Sequence, residues 1–114
     1  MTVIQIFTDK NNFDTVTVKL GESFLVKLRE EPAEHIYSKG EAHEEGPVWI
    51  MEASKGLRLI RSEFIPDIPD TTTVPGVHEW EFEAVEKGAQ EIQGKYPIYR
   101  FGGEEKFKLR VKVE

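Results

Sequence analysis

The sequence contains no cysteine, which removes disulfide staples, thiolate nucleophiles, zinc–thiolate centres and redox dithiols in one step. It is also short of cations: 15 Lys and Arg against 21 Asp and Glu leave a formal charge of −6. With a pI near 5.2, neither nucleic acid nor an anionic membrane surface is expected as a partner, because both are held by net positive patches. Apolar runs are only a few residues long, far below the roughly 18–20 needed to span a bilayer. The opening Met1–Lys10 lacks a basic start followed by a long apolar stretch and a small-residue cleavage site. It reads as a strand, and a cytoplasmic protein is expected, or a mature form whose signal was removed.

Catalytic signatures are missing too. There is no GxSxG elbow, no glycine-rich phosphate cradle, no HExxH and no EF-hand loop, and Ser23, Ser38, Ser54 and Ser62 are scattered without a local motif. The expectation is a protein that is not an enzyme and uses no cofactor and no metal. What is present suffices for one core: 114 residues, 39% hydrophobic and 11% aromatic, with no repeat or low-complexity linker to divide residues 1–114 into more than a single domain.

Alternation of apolar and polar residues, the signature of half-buried strands, dominates the chain. Val16, Val18 and Leu20 alternate with Thr17 and Lys19; after the Gly21-Glu22 turn the pattern resumes at Phe24, Val26 and Leu28. His78, Trp80, Phe82 and Ala84 share one face and Glu79, Glu81 and Glu83 the other. Phe107, Leu109, Val111 and Val113 alternate with lysines and Arg110, and such lysines also guard a strand against edge pairing. Further strands are expected at Val3–Phe7, Val48–Met51, Leu57–Phe64 and Gln90–Tyr96. Short strands at this spacing predict an all-β sandwich of seven to eight strands. Its expected core is Val16, Val18, Phe24, Val26, Leu28, Trp49, Leu59, Trp80, Phe82, Ile92, Tyr96, Phe107, Leu109 and Val111.

Three segments do not read as strand: Arg29–Gly46, with a local charge of −4; Ile65–Gly76, with three prolines; and Pro97–Glu105. His35 and His43 lie among the glutamates of the first, which reads as a solvated acidic loop rather than a metal site. His78 reads as a satisfied, partly buried strand residue. The stripe Glu79, Glu81 and Glu83 is expected to pair with Lys27 and Arg29 on a neighbouring strand.

The run Thr15–Leu28 with its Gly-Glu turn, then Gly46-Pro47-Val48-Trp49, then Pro75–Phe82, Gly88 and Tyr96, resembles in order and spacing the chagasin family of cysteine-protease inhibitors, from about Thr15 to Val113. The resemblance implies an immunoglobulin-like sandwich that reversibly blocks papain-like cysteine proteases by presenting three loops to the active-site cleft. In that family the central loop carries an Asn-Pro-Thr-Thr-Gly pattern, flanked by a glycine-rich loop and an Arg-Pro-aromatic loop. Here the central position holds Glu31, Pro32, Ala33 and Glu34, followed by an insertion of about ten residues before Gly46. The flanking positions hold Pro75 and Gly76 on one side and Tyr99, Arg100 and Phe101 on the other. These nine residues are the candidate protease contacts, and a monomer or weak dimer is expected. The alternative is a non-inhibitory protein-binding or assembly module that kept the sandwich and lost the inhibitory loops.

Overall fold

A computed structural model describes residues 4–30, 34–38, 41–45, 49–69, 74–98 and 103–114. Its strands are β1 Gln5–Thr8, β2 Thr15–Val18, β3 Ser23–Glu30, β4 Glu34–Ser38, β5 Glu41–Glu45, β6 Ile50–Ala53, β7 Leu57–Pro66, β8 Gly76–Ala84, β9 Gly88–Ile98 and β10 Gly103–Val113, with one 3₁₀ turn at Asp9–Asn11. Two four-stranded sheets, in the orders β1-β3-β8-β7 and β2-β10-β9-β6, form the sandwich. The pairs β1/β3 and β2/β10 are parallel and the others antiparallel.

Period-2 patterning explains the core. Phe24, Val26 and Leu28 of β3 and Trp80, Phe82 and Ala84 of β8 pack in one buried cluster with Ile92 and Tyr96 of β9 and Phe107, Leu109, Val111 and Val113 of β10. Phe24 meets Phe7 edge-on at 5.7 Å and stacks on Phe82 at 5.8 Å. Each large apolar side chain buried this way contributes about 1.5–3 kcal/mol against the entropy of ordering it.

The Gly21-Glu22 turn does not close a hairpin. It carries the chain from one sheet to the other, with Gly21 at φ 87° and its N–H donating to Ala84 O at 2.8 Å. Strand β2 stops at Val18, so Leu20 is exposed. Leu59 departs from the expected core and is 52% exposed. Leu59 stands opposite buried Phe82, but on the edge strand β7 and just before a register shift between Leu59 and Arg61, where a strand has a neighbour on one side only. Leu57 is buried in its place.

Lys27 pairs with the glutamate stripe as expected, and two arginines of β7 that the pattern did not name hold its other members. Lys27 Nζ lies 3.8 Å from Glu79, while Arg61 bridges Glu79 and Glu81 at 3.2 Å and Arg58 reaches Glu83 at 2.7 Å. Arg29 turns instead to Asp67.

The segment Arg29–Gly46 is the largest correction. Beyond the end of β3 it contains a hairpin, β4 with β5, running from Glu34 opposite Glu45 to Ser38 opposite Glu41 and pairing with neither main sheet. Polar residues at nearly every rung leave no apolar alternation to read; Lys39-Gly40 between the strands is the right length for a hairpin connection. Pro97–Glu105 is likewise partly strand, since β9 runs through Ile98 and β10 begins at Gly103. In the proline-rich segment, Ile65 and Pro66 end β7 and Gly76 opens β8; an edge strand tolerates the proline that a central one would exclude.

Candidate functional site

The ends of β3, β7 and β9 and the starts of β8 and β10 flank three segments of the sequence, residues 31–48, 67–75 and 99–102. Their stems are tied to one another. At the last rung of β3, Glu30 lies opposite Gly76, and its carboxylate is buried, with 7% of the residue exposed. Glu30 Oε2 accepts the backbone N–H of Trp49 at 3.2 Å and lies 2.8 Å from His78 Nδ1. The Trp49 indole Nε1 donates to Arg29 O at 2.8 Å. The residues that flank segment 31–48, Arg29 and Glu30 on one side and Trp49 on the other, are therefore clamped together.

Arg29 carries the tie to the second segment. Its two terminal guanidinium nitrogens each donate to one carboxylate oxygen of Asp67 at 2.8 Å. This bidentate fit favours planar charge-assisted bonding. The Arg29 hydrogen bond holds the Asp67 carboxyl below the usual carboxylate range. Asp67 N–H donates to Pro75 O at 3.0 Å, closing the second segment at its base. The third stem joins through Trp49, whose ring stacks on Tyr96 of β9 with centroids 5.0 Å apart; Tyr96 sits two residues before the end of β9, opposite Glu105 of β10.

Of the nine candidate contacts, Glu31, Pro32, Ala33, Tyr99, Arg100 and Phe101 lie outside the described residues. Glu34 opens β4. Pro75 is half-buried, and Gly76 is buried at the first rung of β8. A Cβ on Gly76 would stand 2.2 Å from Ile65 O and 2.7 Å from Pro66 Cα, so the glycine is required by the close approach of β7. Sequence reasoning missed Arg29, Glu30 and Asp67 as stem residues. One signal was available: Glu30 falls on the inward phase of Phe24, Val26 and Leu28, where a charge needs partners.

No group of three or more His, Asp or Glu gathers at a metal-holding distance among the described residues. His35 and His43 fall at neighbouring rungs of the hairpin, opposite Glu44 and Ile36.

A family model described as Chagasin family peptidase inhibitor I42 matches residues 17–113. The chain belongs to this family. The chagasin family is one of peptidase inhibitors, not of enzymes. Solved structures share the fold. The solution structure of Amebosin is 20% identical, covers 99% of this chain and 100% of its own, and superposes with a TM-score of 0.73. The cysteine protease inhibitor EhICP2 from Entamoeba histolytica is 19% identical over 97% of this chain and 96% of its own, with a TM-score of 0.73. PbICP-C, solved in complex with falcipain-2, is 14% identical over 97% and 91%, with a TM-score of 0.53. No curated protein matches the sequence.

Proposed function

We propose that this chagasin-family chain is a reversible inhibitor of papain-like cysteine proteases that inserts segments 31–48, 67–75 and 99–102 into and around the active-site cleft. The observation that carries the reading is the cross-tied set of stems: Glu30 to Trp49 and His78, Arg29 to Asp67, and Trp49 to Tyr96. Segments held from rigid strands lose less freedom on docking, so more of the contact energy appears as affinity. Blocking of this kind forms no bond to the protease; a bound surface that does not present a scissile peptide in register is simply not cut. PbICP-C engaging falcipain-2 and EhICP2 as a cysteine protease inhibitor support the target class.

Glu31, Pro32, Ala33 and Glu34 form the central wedge in this reading, with Pro75, Gly76, Tyr99, Arg100 and Phe101 flanking it. Tyr and Arg are residue types that often dominate interface energetics. The test is an inhibition titration against a small panel of papain-like proteases; no inhibition at micromolar protein would sink the reading. The double substitution Tyr99→Ala, Arg100→Ala should weaken inhibition by tenfold or more without lowering Tm. An unchanged inhibition constant would remove the third segment from the interface.

A further inference from the structure

At the stems of the segments, strands β7, β8 and β3 bring together three side chains that lie far apart in sequence. Ser62 Oγ is 2.6 Å from His78 Nε2, and His78 Nδ1 is 2.8 Å from Glu30 Oε2. From this geometry we infer that Ser62 is an activated nucleophile, a site of covalent modification by electrophilic acyl or phosphonyl groups.

The hydrogen-bond roles follow from what each atom can do. A carboxylate oxygen accepts, and Glu30 Oε2 also receives the Trp49 N–H, so Nδ1 of His78 carries the proton and donates. In the neutral ring Nε2 is then left with its lone pair, and the Ser62 hydroxyl donates to it. This is the arrangement in which imidazole accepts a proton as the oxygen attacks, with a carboxylate fixing the tautomer.

The surroundings suit these roles. His78 is stacked on Trp80 with centroids 4.0 Å apart and planes 5° apart, which fixes the ring. Its side chain is 12% exposed and that of Glu30 is 7% exposed, so the base and its orienting carboxylate are largely shielded from water. Ser62 is exposed on an edge strand, open to a small electrophile without movement of the backbone. Glu30 acts through His78 and is a positioning residue.

The step balances without a further reactant. With p-nitrophenyl acetate, Ser62 Oγ forms a bond to the acyl carbon and the bond from that carbon to the phenolate oxygen breaks. The electron pair leaves with p-nitrophenolate, and the hydroxyl proton passes to His78 Nε2 and on to solvent. The step is a single transfer; turnover would further require donors aimed at the developing oxyanion.

The full chain is incubated with p-nitrophenyl acetate and, separately, with a fluorophosphonate probe, and followed by intact mass and peptide mapping. One adduct is expected, on Ser62, and none there in Ser62→Ala. His78→Gln should slow modification of Ser62 by about a hundredfold or more, the usual contribution of a positioned base; Glu30→Gln should slow it less. Far-UV circular dichroism checks each variant's fold. Should His78→Gln fail to fold, the rate at Ser62 in native chain is compared with that in urea-unfolded chain, where the same hundredfold contrast is expected. Adducts confined to lysines and the amino terminus, or equal Ser62 rates in the native chain and in His78→Gln or unfolded chain, would overturn the inference.

Discussion

Arg29 and Asp67, 38 residues apart, face each other through two parallel hydrogen bonds of 2.8 Å. The pair joins the end of β3 to the residue that follows β7, and so couples the bases of two segments that share no strand pairing between β3 and β7. Its side chains are 58% and 46% exposed, so it contributes modestly to global stability; its effect is on the relative placement of the two segments.

The pH dependence of this tie has a definite sign. Arg29 lowers the folded-state pKa of Asp67, so the contribution is present above the unfolded carboxylate value of about 3.9 and is lost as pH falls through the lower folded value. The Tm difference between the wild type and Asp67→Asn should be flat from pH 7 to pH 5 and close on acidification below about pH 4. Thermal melts across that range check it. At neutral pH, Asp67→Asn should also weaken protease inhibition through faster dissociation.

Trp49 serves packing and clamping at once, and two substitutions separate the roles. Trp49→Phe keeps a ring to stack on Tyr96 but removes the indole N–H donated to Arg29 O, and should cost about 1 kcal/mol. Trp49→Ala empties a site that is only 8% exposed and should cost about 3–5 kcal/mol. Urea unfolding measures both. Equal losses for the two variants would mean that the stack contributes nothing.

Gly76 is fixed by backbone proximity. With Ile65 O at 2.2 Å from the position of an added Cβ, Gly76→Ala must separate the ends of β7 and β8. The expected loss is about 1–3 kcal/mol, as for other overpacked positions, with increased amide exchange at the first rungs of β8. Hydrogen exchange locates the effect.

Phe13 is 71% exposed with φ at 66°, a left-handed conformation that costs an L side chain about 1–2 kcal/mol. Neighbouring Asn12 imposes it by donating from Nδ2 to Lys106 O and accepting at Oδ1 from Lys108 N, both at 2.8 Å, while Phe13 N–H donates to Lys108 O at 2.7 Å. Asparagine visits this region more readily, so Phe13→Asn should raise stability by up to about 1 kcal/mol. A lowered Tm would mean that the Phe13 ring contributes contacts outweighing the strain.

Composition and alternation by themselves determined that this chain is a cysteine-free β-sandwich, because a strand buried on one face must repeat every second residue. Val18, Phe24, Val26, Trp80, Phe82, Leu109 and Val111 could be assigned to the core on that ground. The order of the Gly-Glu turn, Trp49 and Tyr96 pointed to the family. The hairpin at Glu34–Glu45 was not legible, since its residues carry no apolar period. Nor were the unions of Arg29 with Asp67, of Glu30 with Trp49 and of Ser62 with His78. Each joins residues 16 to 38 positions apart, and which polar side chains meet at the end of a sheet depends on strand order and register. Only the tertiary structure decides those, because pairing partners along β3, β7 and β8 are chosen by the packing of the whole core.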